Sequence, residues 1–371
     1  MKKTILAVSA LLIIIFSLQN CKPDKPDEPD NPNDPDSLYV GTTYLFAKPF
    51  RFPTIDAQKT NGATYEGIEL GRRLFYDEHL SRTGQLSCGS CHKQVFAFSD
   101  GGKAKSDNIF GPTKRNSPSI QNLLWTSRHF WDGRVNSLSD AGKDAFHGEQ
   151  DLNIPGAITF LKNDSVYSRL FRKAFGRPGD VTEEKIYQAM QQFLMTLISS
   201  NSPFVKWQRG EQYPGASVDS GFTIFLDNNR GDCLHCHMLG NTLLMTDNAF
   251  HSNGLDDALT TNDYADKGRG QFINYPDSNG YFKAPSLRNI ALTGPYMHDG
   301  RFHTLMDVIN FYSTGVKKPV NFDGNMHLST DTSKLDGNRR FTPQEKQYLL
   351  DFFNSLTDTT FTNNPAFQNP F

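Results

Sequence analysis

Two stretches of the chain decide its architecture: Cys88-Gly89-Ser90-Cys91-His92 and Cys233-Leu234-His235-Cys236-His237. The pattern C-x-x-C-H is the attachment signature of c-type heme. Two thiols one helical turn apart can each add to a vinyl group of the heme, and the histidine that follows then projects under the iron as its proximal ligand. The two motifs therefore predict two covalent c-type hemes, attached through Cys88, Cys91, Cys233 and Cys236 and ligated by His92 and His237.

Other uses of paired cysteines explain the pattern less well. Two C-x-x-C pairs can hold a zinc ion, but zinc does not account for a histidine directly after both pairs. The 141 residues between Cys91 and Cys233 are also long for a compact zinc site. A thioredoxin-like redox pair needs a βαβ context, which this sequence lacks.

The composition is that of a globular protein. The chain has 371 residues, of which 37% are hydrophobic and 12% aromatic. That is enough to bury a core, and the length suits about two domains of roughly 150 residues each. The net charge of -2 provides no global basic field, so no nucleic-acid partner is expected. Five cysteines are too few for a disulfide scaffold in a chain of this length.

An imperfect internal repeat predicts two similar domains. Gly71-Arg72-Arg73-Leu74-Phe75 precedes the first heme motif, and Gly221-Phe222-Thr223-Ile224-Phe225 precedes the second. Each run is typical of the first helix of a small cytochrome. The predicted fold is mainly α, with two cytochrome c-like helical domains at residues 38–205 and 206–371, each with one covalently bound c-type heme.

Two further segments are predicted to be amphipathic helices. Residues 182–199 begin with Thr182 as a candidate N-cap, followed by an acidic first turn and apolar residues at helical spacing. Residues 342–356 have proline at the first helical position and an apolar stripe.

The N-terminus is predicted to be an export signal. A short basic start is followed by an almost wholly apolar run that is too short for a comfortable membrane span. Residues 1–20 are predicted to be a lipoprotein signal peptide that ends before a lipidated Cys21, and the Pro/Asp-rich residues 21–37 a solvated tether. The alternative is an ordinary secreted protein with one spare thiol. We expect an exported protein that faces the periplasm or the cell surface, with only its lipid anchor in the membrane.

Three more stretches carry a resemblance to a known family: residues 115–122 (RNSPSIQN), 130–134 (FWDGR) and 295–300 (PYMHDG). In this order, around two C-x-x-C-H motifs, the chain resembles the bacterial diheme cytochrome c peroxidases, which include the MauG-type enzymes. The resemblance implies that the N-terminal heme is the peroxide site and that the C-terminal heme passes electrons to it. It further implies that Trp131 bridges the hemes and that His298 bonds a heme propionate. Asn116, Thr293 and Pro295 match positions that support an interdomain calcium ion.

The axial ligands implied by the resemblance decide what each heme can do. Many peroxidases of the family carry a removable distal histidine between the first heme motif and RNSP. Here that segment has no histidine and Asn108 stands at the position, so we predict an N-terminal heme with an open sixth site. Tyr312 falls where many members have methionine and MauG-type enzymes have tyrosine, which predicts a low-potential second heme. Met297 is the rival second ligand, and His129 and His147 are alternative ligands for the first heme.

Peroxide cleavage also needs a group that moves a proton between the two oxygens. The family uses a glutamate helped by a glutamine. Counting on from FWDGR places Asp151 at the glutamate position and Ala141 at the glutamine position. A two-residue slip would bring in Glu149 instead, and His147 is a third candidate.

The predicted function is that of a diheme cytochrome c peroxidase that reduces hydrogen peroxide to water. The expected electron donor is a small protein such as a monoheme cytochrome or a cupredoxin, and the family allows a homodimer. Two alternatives stay open: a MauG-like oxidase that modifies a partner protein, and a non-catalytic diheme electron carrier.

Overall fold

The computed structural model describes residues 41–371 apart from 61, 103–105, 109, 149–150, 152, 177–180, 239 and 327–335. The predicted leader, the tether with Cys21, and Glu149 therefore lie outside the described residues. The described chain belongs to one compact unit that spans Leu38–Phe371. No helix within it is long and apolar enough to cross a membrane.

The described chain is mainly helical, which confirms the predicted fold class. Its strands form two small antiparallel pairs, β1 (Asp107–Asn108) with β2 (Gly111–Pro112), and β3 (Phe250–His251) with β4 (Phe282–Lys283). The α-helices are α1 (Ala57–Thr60), α2 (Tyr65–Tyr76), α3 (Cys88–Cys91), α4 (Leu138–Gly148), α5 (Ile154–Asn163), α6 (Ser165–Phe175), α7 (Glu183–Thr196), α8 (Pro203–Gln208), α9 (Ala216–Leu226), α10 (Leu234–His237), α11 (Arg269–Ile273), α12 (Leu305–Asn310), α13 (Pro343–Ser355) and α14 (Thr359–Thr362).

The internal repeat is a repeated helix crossing. In the first half α2 packs on α7, and in the second half α9 packs on α13. At both crossings a glycine meets a backbone carbonyl: a Cβ on Gly71 would overlap the carbonyl oxygen of Ala189, and a Cβ on Gly221 would overlap that of Tyr348. The glycine in each repeat therefore lets two helices approach more closely than any other residue would.

Both helices predicted from their caps are present. The hydroxyl of Thr182 accepts a hydrogen bond from the backbone N–H of Lys185 and starts α7, which ends at Thr196. Thr342 forms a capping box with Glu345 at the start of α13, where proline occupies the first helical turn. These caps satisfy backbone donors that the first turn leaves without a helical partner.

The apolar side chains form two main cores. The first core surrounds α2 and α7, and it also includes Phe361 and Phe367 from the C-terminal end of the chain. The second core surrounds α9 and α13, and it includes Phe52 and Phe204 from the first half. Each core therefore contains residues from the other half of the chain. The predicted domain boundary between residues 205 and 206 stays a prediction.

Candidate active site

Each heme motif opens into its own cavity. The N-terminal cavity has a volume of about 250 Å³ and is bordered by Cys88 and His92 of the first motif. The C-terminal cavity has a volume of about 180 Å³ and is bordered by Cys233, Cys236 and His237 of the second. A single water needs only about 10–15 Å³ of such space, so both cavities have room for a much larger group.

The two motif histidines are oriented in the same way. Nδ1 of His92, which directly follows α3, lies 2.8 Å from the carbonyl oxygen of Phe98. Nδ1 of His237 lies 3.1 Å from the carbonyl oxygen of Pro285. A carbonyl only accepts, so Nδ1 carries the proton in both rings and Nε2 keeps its lone pair. This is the tautomer that a metal-ligating histidine needs.

Burial also keeps His237 in its ligating form. It lowers the pKa of His237 to about 4, because a charged imidazolium would lose its hydration in the cavity wall. The neutral ring is the form that binds iron. The four motif cysteines form no disulfide among the described residues, which also contain no cluster of three or more acidic, Cys or His side chains able to hold a metal ion. The donor set of each cavity therefore fits a covalently attached heme better than a zinc ion.

Trp131 stands in the wall that the two cavities share. Its side chain borders both cavities. The indole N–H donates to the carbonyl oxygen of Asn116 at 2.8 Å, and its own carbonyl accepts from the backbone N–H of Lys283 at 2.8 Å. Hydrogen bonds from both halves of the chain thus fix Trp131, the residue that the sequence predicts to be an electron bridge.

An ion-pair network holds the FWDGR turn around Trp131. The guanidinium of Arg115 donates to the carboxylates of Asp132 at 2.6 Å and Asp266 at 2.7 Å. Arg134 adds a bond of 3.3 Å to Asp132. Burial opposes the charge on Asp266, but the hydrogen bonds that its carboxylate accepts and the nearby positive charge of Arg115 together outweigh that cost and hold the pKa of Asp266 below its usual value. Asp266 comes from the second half of the chain, so this network connects the turn that contains Trp131 to that half.

Two candidate ligands for the second heme meet in the C-terminal cavity. Tyr312 lies in a π-helical turn directly after α12, a local irregularity common at functional sites. Its hydroxyl oxygen accepts a hydrogen bond from Nδ2 of Asn253 at 3.1 Å, and burial raises the pKa of Tyr312 to about 12. Sδ of Met297 lies 3.7 Å from the same Asn253 nitrogen. Both side chains border the cavity, so the choice between them stays a prediction.

The predicted calcium residues are brought together at the edge of the N-terminal cavity. Asn116, Thr293 and Pro295 all border it. Nδ2 of Asn116 donates to the carbonyl oxygen of Pro295 at 2.5 Å. A half-turn of that amide would present its oxygen beside the carbonyl, and calcium prefers such oxygen ligands.

His298 borders the C-terminal cavity. Its ring stacks on Phe282 with a centroid distance of 3.6 Å and an interplanar angle of 8°. Burial lowers the pKa of His298, and neighbouring acidic groups oppose this only in part. The neutral ring keeps one N–H for an acceptor such as a propionate.

Asp151, the predicted acid that the structure describes, does not border the N-terminal cavity. The carboxylate of Asp151 pairs with Nε of Arg82 at 2.8 Å, and both side chains are largely exposed. Ala141 does border the cavity, together with Gly142 and Ala145 on the same face of α4. The described lining of this cavity contains no Asp or Glu. The proton-carrying roles of Asp151 and Glu149 stay predictions.

The remaining ligand candidates are distributed between the surface and the cavity. Asn108 accepts from the backbone N–H of Phe110 at 2.8 Å and does not border the N-terminal cavity. His147 is largely exposed, 3.2 Å from Glu183. His129 is buried and borders the cavity, as does Lys283, which borders both cavities. The sequence gives no signal for Lys283, because it follows no motif and only the fold brings β4 into the wall.

Known proteins resemble this chain along most of its length. The family model of the di-haem cytochrome c peroxidases matches residues 65–213. The methylamine utilization protein MauG of Methylorubrum extorquens is 33% identical over 275 residues, 72% of this chain and 75% of MauG. The cytochrome c551 peroxidase of Pseudomonas aeruginosa is 30% identical over 65% of this chain and 70% of its own. A solved MauG-like protein associated with microbial copper homeostasis shares 30% identity and a TM-score of 0.75, covering 88% of this chain and 98% of its own.

Proposed function

Because this chain belongs to the di-haem cytochrome c peroxidase family, we propose that it is an oxidoreductase that reduces hydrogen peroxide to water, with electrons relayed from the C-terminal to the N-terminal heme. The observation that carries the proposal is the pair of heme-motif cavities on either side of Trp131. A two-site enzyme of this kind needs one site for the oxidant, one for the donor's electrons, and a short path between them.

The protein would hold the two hemes in similar ways. Cys88 and Cys91 would attach the first, with His92 as its proximal ligand. Cys233 and Cys236 would attach the second, and His237 and Tyr312 would bind its iron. When bound, the hemes supply the redox-active iron, while the protein sets their ligands, burial and hydrogen bonding.

The residues around the N-terminal cavity would orient peroxide and exclude bulk water. Two electrons and two protons convert one peroxide into two waters, so a side chain must deliver protons. Asp151 and Glu149 are proposed for this step. In this structure Asp151 is paired with Arg82 and lies outside the described lining of the cavity. The ion pair would therefore have to break before the Asp151 carboxylate could reach the cavity.

A calcium ion at Asn116, Thr293 and Pro295 is proposed as a further cofactor. The contact of Asn116 with the Pro295 carbonyl, together with its bond to the Trp131 indole, supports this location. A cation there would fix the residue that positions the electron bridge. His298 is proposed to bond a propionate of the second heme.

A MauG-like oxidase that modifies a partner protein is the second candidate. Tyr312 favours it, since its hydroxyl reaches the C-terminal cavity, and MauG itself is 33% identical to the chain. An anionic tyrosine ligand would lower the potential of the second heme, which suits storage of oxidising equivalents better than rapid uptake of electrons.

We further propose that the protein is exported and anchored through a lipid on Cys21, facing the periplasm or the cell surface. Its electron donor would be a small monoheme cytochrome or cupredoxin, and it would work as a monomer or a homodimer. The Pro/Asp-rich residues 21–37 support this arrangement, because such a tether holds a folded enzyme clear of a bilayer.

Purified diheme protein would be mixed with hydrogen peroxide, with and without a reduced small cytochrome. Rapid, donor-dependent loss of peroxide, with two donor molecules oxidised per peroxide, supports the peroxidase. A long-lived spectral change without turnover supports the MauG-like oxidase, and no reaction supports a plain electron carrier. Asp151→Ala and Glu149→Ala, measured beside Glu211→Ala as a surface carboxylate also paired with arginine, then test the proton carrier. If neither differs from Glu211→Ala, another group carries the proton.

A further inference from the structure

The wall between the cavities contains a cation, Lys283, that has no carboxylate partner among the residues that the structure describes. Nζ of Lys283 donates to the carbonyl oxygen of Arg128 at 2.9 Å, and among the described residues it forms no ion pair. Asp247 is the one acid whose charge favours the ammonium, but its carboxylate already bonds His251 at 2.8 Å. A single carbonyl cannot satisfy three N–H donors, so the ammonium keeps donors for another acceptor.

Lys283 is half-buried, and an ammonium that loses hydration without gaining a counter-charge is costly. Burial lowers the pKa of Lys283 to about 8, which shows that the protein alone stabilises the charge poorly. A hydrophobic residue would fill the wall at lower cost. The lysine is therefore better explained by an anion that approaches it from one of the cavities.

The Lys283 ammonium is bonded beside a residue of the N-terminal cavity. Lys283 borders both cavities, but its Nζ lies at Arg128, directly before His129, and His129 borders only the N-terminal cavity. The His129 side chain is 7% exposed, and its ring has no hydrogen bond to the described residues. Burial, with smaller effects of Lys283 and Lys59, lowers the pKa of His129 to about 4. The neutral ring therefore has an N–H to donate.

Apolar side chains also line the N-terminal cavity. Phe75, Leu138, Met190 and Leu194 border it. The lining thus combines apolar groups with a cation and an N–H donor. A heme needs the same combination, because its macrocycle is apolar and it carries two carboxylates.

We propose that Lys283 and His129 form a carboxylate-binding subsite in the N-terminal cavity, and that it binds the propionates of the heme attached at Cys88 and Cys91. The inference rests on the covalent heme of the proposed function and not on the peroxide reaction. A diheme protein that fails to turn over peroxide would therefore refute the reaction and leave the subsite unaffected.

The subsite has a measurable electrostatic consequence. Ferric heme carries one more positive charge than ferrous heme, so a nearby ammonium in a poorly screened wall favours the ferrous state. Lys283 should therefore raise the midpoint potential of the N-terminal heme. The effect on the C-terminal heme should be smaller, because the ammonium is bonded beside His129, which borders only the N-terminal cavity.

The test compares Lys283→Met, Lys283→Arg and Lys59→Met in the intact diheme protein. Lys59 is a matched control, because its ammonium also donates to a carbonyl of this loop, that of Thr126 at 3.3 Å, but on the exposed surface. The midpoint potentials of both hemes would be measured by spectroelectrochemical titration at low and high salt. Resonance Raman bands of the propionates would report the hydrogen bonds directly.

We expect Lys283→Met to lower the potential of the N-terminal heme at both salt concentrations and to shift its propionate bands. Lys283→Arg should restore both readouts, and Lys59→Met should leave them near wild type. An unchanged potential with unchanged bands in Lys283→Met would overturn the proposal, as would equal shifts in the Met and Arg variants. If Lys283→Met does not accumulate with two hemes, His129→Leu, which has no side-chain N–H donor, is measured instead. It must shift the same propionate bands, and wild-type bands in that variant would refute the subsite.

Discussion

Replacing Gly221 by alanine should destabilise the protein, although the same change stabilises most helices. Gly221 lies inside α9, where it meets the carbonyl oxygen of Tyr348 on α13. The added methyl group would overlap that oxygen and approach Cβ of Phe352 to 2.8 Å. A backbone carbonyl inside a helix cannot rotate away, so the two helices must move apart.

The magnitude follows from two opposing effects. Overpacking a close contact costs about 1–3 kcal/mol, and the upper end applies because the obstacle is backbone. Alanine in place of glycine returns roughly 1 kcal/mol of helix propensity. The expected net loss in the free energy of unfolding is about 2 kcal/mol. Gly71→Ala should behave alike, since Gly71 meets the Ala189 carbonyl on α7.

The assay is guanidinium unfolding followed by circular dichroism in the helical region. Gly148→Ala is the matched control, because Gly148 ends α4 and a Cβ there has no neighbour within 4 Å. That variant should be neutral, or stabilised by up to about 1 kcal/mol. If Gly221→Ala and Gly71→Ala were as stable as Gly148→Ala, the account of the two helix crossings would be wrong.

Three more predictions concern the cavities. Trp131→Phe should slow electron transfer between the hemes while both remain bound, which stopped-flow spectroscopy of the half-reduced protein measures; an unchanged rate would exclude Trp131 from the path. Tyr312→Met should raise the potential of the second heme, and a potential equal to wild type in a redox titration would show that Tyr312 is not its ligand. Burial disfavours the positive charge on the imidazole of His251. The ring is bonded to the carboxylates of both Asp247 and Asp323, however, and the pKa of His251 is raised to about 12. Its stabilising contribution is complete below the unfolded pKa of about 6.5 and is lost as the pH rises toward 12. His251→Gln should therefore be less stable than wild type at pH 6, by a margin that narrows toward pH 10 in denaturant titrations.

Local features of this protein could be predicted from the sequence. The heme motifs, the caps at Thr182 and Thr342 and the repeated glycine each depend on residues within one helix or turn. Both predicted helices begin at their caps, and the repeated glycine lies at a close helix contact in each half. Such features follow from short-range geometry, so a single sequence is enough to find them.

Contacts between distant segments could not be predicted in the same way. Counting along the chain placed Asp151 at a family position, but the structure pairs it with Arg82 on the surface. Lys283 follows no motif, and it reaches the cavity wall because its backbone N–H bonds the carbonyl of Trp131. The meeting of Tyr312 and Met297 around Asn253 likewise depends on three separate turns. Each of these depends on tertiary packing, which periodicity does not encode.

The exchanged core segments have a consequence for the order in which the chain matures. The first core includes Phe361 and Phe367, and the hydroxyl of Tyr76 donates to the Phe367 carbonyl at 2.7 Å. During synthesis these two residues are added after every other member of the first core. The apolar core against which Cys88 packs is therefore completed only after most of the second half of the chain has been made.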